Sequence, residues 1–118
     1  KSTSKGEVKI EKWLINNNIK YEPQYTFEDC RHDRKLKFDF AILNKDNEVK
    51  MLIEFDGKQH FGLGLFSDDT EKMIEQYAMV KQSDETKNEY CFKNCIPLLR
   101  IPYSKYASID KILSKSLL

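Results

Sequence analysis

The chain has 118 residues, of which 40% are apolar and 33% are charged, a composition typical of one compact domain with a modest core. No apolar run approaches the roughly 20 residues of a membrane-spanning helix, and no apolar stretch of a secretory signal follows the polar start, so both classes are excluded. The net charge of +1 does not indicate a nucleic-acid-binding protein. Because the first residue is not Met, we expect residues 1–118 to form one domain of a longer protein.

The first predicted element is a helix that begins after Ser4. Ser4 and Glu7 have the spacing of a capping box, and an apolar stripe continues to about Asn17. Glu7 is also in phase with that stripe, so it is predicted either to cap the helix or to face the sheet. An aromatic strand follows over residues 21–27, and Pro23 restricts it to a sheet edge.

Two alternating segments, 36–43 and 49–56, flank a polar turn over 44–47 and predict an antiparallel hairpin. The turn places Asp39 nearly opposite Ile53 or Glu54. Apolar side chains are then predicted on one face of the hairpin, namely Leu36, Phe38, Phe40, Ile42, Val49, Met51, Ile53 and Phe55.

The second half of the chain predicts a helix, a short strand and a closing helix. Gly57 ends the hairpin, and Asp69 or Thr70 is the expected N-cap of a helix that continues to about Asn94, with a possible break over 83–88. Its apolar face is predicted to comprise Met73, Ile74, Tyr77 and Val80, continued by Cys91 and Cys95. A strand over 96–101 and a helix around Ile109, Ile112 and Leu113 follow. The predicted fold is α/β in the order α-β-β-β-α-β-α, with a mixed sheet of about four strands.

Three cysteines argue against a closed disulfide framework and favour a reducing compartment, so we expect a cytoplasmic protein. Cys91 and Cys95, with Cys30 and His32, form the one conceivable zinc set. The set lacks a Cys-x-x-Cys pair, and zinc is therefore not the expected metal. Buried free thiols are the simpler prediction.

Carboxylates on the second face of the hairpin carry the functional prediction. Asp39, Glu54 and Asp56 are expected to project from one face, where like charges repel unless a cation compensates them. Mg²⁺ prefers such oxygen ligands, and Mn²⁺ is the expected substitute. The alternative is a solvent-facing hairpin whose acids pair with Lys37 and Lys50.

These residues resemble the PD-(D/E)XK nucleases, in which an Asp and the Glu of the next strand bind Mg²⁺ with a backbone carbonyl, here that of Phe55. The string IEFDGKQHF, preceded by KFDFAI and followed by KQSDETKNEYCFKNCIPLLRIPY, is similar to the EDxHD group of phage and giant-virus homing endonucleases. This group is related in fold to the very short patch repair endonucleases. The resemblance extends from about Gly6 to Tyr103.

The resemblance implies a Mg²⁺-dependent endonuclease and assigns roles to several residues. The EDxHD pattern maps to Glu7, Asp39, Phe55 or its neighbour, His60 and Asp84. Asp56 replaces the usual strand lysine, so His60, aligned by Asp84, is expected to activate the water. Lys87 is a second candidate for contacting the scissile phosphate. The expected catalytic set is Glu7, Asp39, Glu54, Asp56, His60, Asp84 and Lys87, and the expected metal ligands are Asp39, Glu54, Phe55 and Asp56.

Double-stranded DNA is the substrate that the resemblance implies, in a bacterial host cell if a phage encodes the protein. The densest basic segment precedes the catalytic strand and is positioned to hold phosphates; its expected contacts are Arg31, Arg34, Lys35 and Lys37. A solvated loop is the simpler interpretation of this segment. Homodimerisation is possible, and a non-catalytic nucleic-acid-binding or protein-interaction module with the same fold is the alternative function.

Overall fold

The computed structural model describes residues 3–61 and 70–118. Its helices are α1 (Lys5–Asn16), α2 (Thr70–Lys93) and α3 (Ile109–Leu117), and its strands are β1 (Tyr21–Arg31), β2 (Lys35–Leu43), β3 (Val49–Asp56) and β4 (Leu98–Pro102). Two 3₁₀ segments, Lys58–Phe61 and Tyr103–Ser108, follow β3 and β4. Within the described residues, no helix combines the length and the apolar character needed to cross a lipid bilayer.

The four strands form one mixed sheet in the order β1-β2-β3-β4. The β1–β2 and β2–β3 pairs are antiparallel, and β4 pairs in parallel with β3 after the α2 crossover. The predicted fold class and element order are confirmed. β1 is an edge strand, as Pro23 predicted, because a residue without an N–H cannot complete a ladder on both sides.

The helices cover both faces of the sheet and make three layers. On one face, α1 and α3 pack through Leu14 and Leu113 against Phe40 and Ile53. On the other face, Cys91 of α2 belongs to a second cluster of buried side chains, with Cys30, Phe38, Ala41 and Leu52. Burial of these apolar faces is the main contribution to the stability of the fold.

The start of α1 is fixed by its cap and by a close contact with β3. Ser4 and Glu7 form the predicted capping box. Gly6 lies against the ring of Phe55, and any Cβ at residue 6 would collide with that ring. The first turn of α1 therefore lies directly on the strand that carries Glu54 and Asp56.

The long helix α2 differs from its prediction in three respects. It is continuous across residues 83–88, where a break was expected. Ile74, expected on the apolar face, is 64% exposed. Cys95 lies beyond the helix, exposed and with a positive φ of 54°. Asp69, an expected N-cap, lies outside the described residues.

Three side chains of the hairpin lie on the face opposite to the predicted one. Leu36, Phe38 and Val49 belong to or pack against the second cluster, whereas Phe40 and Ile53 pack under α1. The register of β2 and β3 shifts between Ile42 and Leu43, which explains the position of Val49, since one residue of slip reverses the face.

Candidate active site and metal centre

The candidate site begins where the backbone pairing of β2 and β3 gives way to hydrogen bonds between side chains and backbone. Paired residues run from Phe40 and Ile53 towards the turn. Beyond them, the backbone N–H of Asp39 donates to Glu54 Oε1 at 2.9 Å, and the N–H of Phe55 donates to Asp39 Oδ2 at 2.7 Å. The two carboxylates therefore bridge the strands where backbone bonds would be expected, and they lie together as the hairpin register predicted.

Glu54 of this carboxylate pair is buried, and Asp39 is half-buried. Glu54 is 3% exposed, and Lys87 Nζ donates to its two oxygens at 3.1 and 3.2 Å. Burial, followed by the charge of Glu54, raises the pKa of Asp39 to about 8. Burial also raises the pKa of Glu54, although the Lys87 ammonium opposes the shift. The alternative of solvent-facing acids paired with Lys37 and Lys50 is wrong.

Glu7 combines the two roles that the sequence left open. Its Oε2 accepts from the backbone N–H of Ser4 at 3.1 Å, which is the capping bond. Its Oε1 accepts from Gln24 Nε2 at 3.4 Å, and its charge and hydrogen bonding contribute to the raised pKa of Asp39. Glu7 thus caps α1 and faces the carboxylate pair.

A second acidic cluster lies beside the first. His60 Nδ1 is 2.9 Å from Asp84 Oδ2 and 3.6 Å from Asp56 Oδ1. Arg100 Nη1 is 2.8 Å from Asp56 Oδ1 and 3.5 Å from Asp84 Oδ1. The expected meeting of three carboxylates is therefore limited to Asp39 and Glu54, because Asp56 is directed towards Arg100. Burial raises the pKa of Asp56, and Arg100 opposes the shift.

Both clusters contribute to one polar groove of about 350 Å³. Its lining includes Asp39, Glu54 and Phe55 from the sheet, His60 from the 3₁₀ turn and Lys87 from α2. A larger groove of about 770 Å³ lies at the turn between β2 and β3, and its charged lining residues are Lys20, Lys45 and Lys50. The side chains that could take part in acid–base or metal chemistry, namely Asp39, Glu54, His60 and Lys87, line the smaller groove.

The basic segment lies at the β1–β2 hairpin tip and is strand at both ends. Arg31 ends β1, and Lys35 and Lys37 belong to β2. Arg31 and Lys35 both pair with the exposed Glu28, Lys35 at 2.8 Å. Of the four expected DNA contacts, Lys37 lines the groove, whereas Arg34 is exposed in the bend between the strands.

The cysteines and His32 do not assemble a zinc site. Cys30 and Cys91 are buried in the second cluster, and burial raises the pKa of the Cys91 thiol to about 11. His32 Nε2 is hydrogen-bonded to Thr86 at 2.8 Å. Among the described residues, the group that brings three potential ligand atoms within 4.8 Å of one another is Asp56, His60 and Asp84.

Arg100 is the functional residue that sequence reasoning missed. It lies in the apolar strand β4, in register with Glu54. A single arginine among apolar residues of a covered parallel strand needs acidic partners, and the strand next to it carries two acids. An arginine in an apolar strand, next to a strand with two acids, was therefore the sequence signal that could have indicated Arg100.

Comparisons with known proteins assign the chain to a family. Neither the comparison with curated proteins nor that with solved structures found a match. Residues 29–115 match the family described as "Protein of unknown function (DUF2726)". The matched segment includes Asp39, Glu54, His60, Asp84 and Lys87 and begins after Glu7. Since it covers most of the sequence, the chain belongs to the DUF2726 family.

Proposed function

We propose that this chain is a metal-dependent endonuclease that hydrolyses phosphodiester bonds in double-stranded DNA. The observation that carries the proposal is the pair of buried Glu54 and half-buried Asp39, joined by hydrogen bonds across two strands, in a groove that also holds His60 and Lys87. Buried acids with raised pKa values in a polar groove are typical of functional sites.

The donor set of the groove fits Mg²⁺ or Mn²⁺. Burial raises the pKa of both carboxylates, and the charge of Glu54 raises that of Asp39 further. The Lys87 ammonium contacts Glu54, and hard dications prefer oxygen ligands. Asp39, Glu54 and the carbonyl of Phe55 would hold the ion. When bound, such an ion polarises a phosphodiester and lowers the pKa of a coordinated water.

His60 is suited to take the proton of the attacking water. The carboxylate of Asp84 accepts hydrogen bonds only, so its 2.9 Å contact with His60 Nδ1 places the proton of the neutral ring on Nδ1. Nε2 then keeps its lone pair and can act as a general base. Asp84 acts through His60 as a positioning residue.

Lys87 supplies the ammonium that is missing at residue 56. Asp56 occupies the strand position where the PD-(D/E)XK pattern has lysine, and the Lys87 ammonium reaches the same groove from α2. If Asp39 and Glu54 held a metal ion and its phosphate in this groove, Lys87 would line the same groove. Its role is therefore electrostatic stabilisation of the developing negative charge.

The choice of DNA rests on the resemblance and on Lys37 at the groove. With a net charge of +1, binding to the phosphate backbone should be weak and should fall steeply with salt. A homing role, a cytoplasmic location and a homodimer stay predictions, and their basis is the sequence.

Cleavage of supercoiled plasmid tests the proposal. We expect nicking or linearisation with Mg²⁺ or Mn²⁺ and none with EDTA. Asp39→Asn should lower the rate by about 10³-fold, because it removes a metal ligand that contributes several kcal/mol. Asp46→Asn, in the exposed turn away from the groove, is the matched control and should cleave at the parental rate. Equal cleavage by the parent and by a folded Asp39→Asn protein would exclude the proposal.

A non-catalytic DNA-binding module is the second candidate. The observation that favours it is the pairing of Lys87 with Glu54, which leaves the lysine engaged by the chain itself. This candidate predicts salt-dependent duplex binding without cleavage in any divalent metal, and Asp39→Asn should then leave the binding unchanged.

A further inference from the structure

Four polar contacts hold the guanidinium of Arg100 in place. Its Nη1 contacts Asp56 Oδ1 at 2.8 Å and Asp84 Oδ1 at 3.5 Å, its Nε donates to Asn88 Oδ1 at 2.9 Å, and its Nη2 donates to the carbonyl of Asp84 at 3.3 Å. These contacts join β3, α2 and β4. A guanidinium is charged at all physiological pH values, so it forms a permanent cation within the second acidic cluster.

The same cluster has the ligands for a divalent ion. Asp56, His60 and Asp84 each offer one atom, all within 4.8 Å of one another. An ion on Asp56 Oδ1 would bind at roughly 2–2.6 Å, and Arg100 Nη1 is 2.8 Å from that oxygen. The dication and the guanidinium would then be no more than about 5 Å apart, where like charges repel strongly.

We propose, on the basis of the proposed function, that the Arg100 guanidinium takes the place of a second metal ion at Asp56, His60 and Asp84. The chain therefore takes one divalent ion, at Asp39 and Glu54, and His60 is kept as a proton acceptor and not a metal ligand. Arg100 is a positioning residue: it supplies positive charge to Asp56 and Asp84 while leaving the His60 ring uncoordinated.

Lys87 does not fill the first position in the same way. It contacts Glu54 at 3.1 Å through a single ammonium on a flexible stem, which can move aside when a dication binds. Asp39 has the backbone of Phe55 and the acid Glu7 as neighbours, so the charge of the first cluster is not balanced by Lys87 alone.

Counting bound Mn²⁺ by electron paramagnetic resonance of the free ion tests the inference without reference to activity. The parent is expected to bind one ion per chain, and Asp39→Asn none. Arg100→Gln opens the second position and should bind two, whereas Arg100→Lys keeps the charge and should bind one. In the double variant Arg100→Gln/His60→Ala, the count should return to one. Circular dichroism checks that each variant is folded.

Each outcome decides the question. Two ions in the parent, or one ion that Asp84→Asn removes and Asp39→Asn does not, would overturn the role of Arg100 and leave the nuclease proposal standing. A single ion in folded Arg100→Gln would also overturn it. If Arg100→Gln does not fold, the parent, Asp39→Asn and Asp84→Asn titrations still decide. No ion in the parent would refute both proposals, and plasmid cleavage tests the proposed function separately.

Discussion

The two acidic clusters of the groove differ in how their charge is balanced. Asp56 and Asp84 share the guanidinium of Arg100, whereas the ammonium of Lys87 contacts Glu54 in the first cluster. Burial, followed by the charge of Glu54, raises the pKa of Asp39 to about 8. Under the proposed function, one cluster is balanced within the chain and the other is completed by the metal ion.

The largest expected effect tests whether Lys87 is the essential cation of the first cluster. Lys87→Met leaves the charge of Glu54 buried and unpaired, which should lower the free energy of unfolding by about 3 kcal/mol. Urea denaturation measures the loss. Adding Glu54→Gln to this variant should recover part of it, and saturating Mn²⁺ should stabilise Lys87→Met more than the parent. A variant as stable as the parent would contradict the expected charge imbalance.

The next effect concerns the hydrogen bond between Asp84 and His60. Asp84→Asn keeps the shape of the side chain but replaces the carboxylate that orients the ring, so cleavage should fall about 10–100-fold. The number of bound Mn²⁺ ions should not change, because Asp84 belongs to the cluster that Arg100 balances. The cleavage rate and the number of bound ions, measured on the same sample, separate a positioning role from metal binding. Loss of the ion in Asp84→Asn would mean that the ion binds at the second cluster and not at Asp39 and Glu54.

The smallest effect is the pH dependence of stability without metal. Asp39 has a pKa of about 8 when folded against an ordinary value of 3.8. Between these values the folded state holds a proton that the unfolded state has released, so stability falls as pH rises and levels off above about pH 8. Glu54, also raised by burial, acts in the same direction.

Thermal melts in EDTA measure this dependence. The Tm of the parent should fall by at least about 4 °C between pH 5 and pH 8 relative to Asp39→Asn, which cannot release that proton. Mn²⁺ should reduce the difference between the two pH values in the parent. Parallel Tm curves for parent and variant would mean that Asp39 is ionised in the folded, metal-free protein.

Local patterns predicted the fold because its elements are set by neighbouring residues. The Ser4–Glu7 box marks the start of α1, and alternation with a short turn sets the β2–β3 register, which brought Asp39 beside Glu54. Phe38 was misplaced because alternation alone does not reveal that two carboxylates replace the ladder bonds next to it.

Contacts between distant elements could not be predicted in the same way. The polar residues over 83–88 suggested a break, since polar side chains usually face solvent, but Asp84 and Lys87 face inward and contact His60 and Glu54, respectively. Asp56 was assigned to the metal pair because it shares a strand with Glu54, and its partner Arg100 is 44 residues away. Such pairings depend on how α2 and β4 lie against β3.

Because α2 is continuous, it fixes the positions of Asp84 and Lys87 relative to each other. Asp84 and Lys87 are one turn apart on the same continuous helix, one in contact with His60 and the other with Glu54, so their backbones cannot shift independently. A single residue inserted between them would rotate one by about 100° around the axis and detach it from its partner. The spacing of these two side chains therefore sets the distance between His60 and the carboxylate pair.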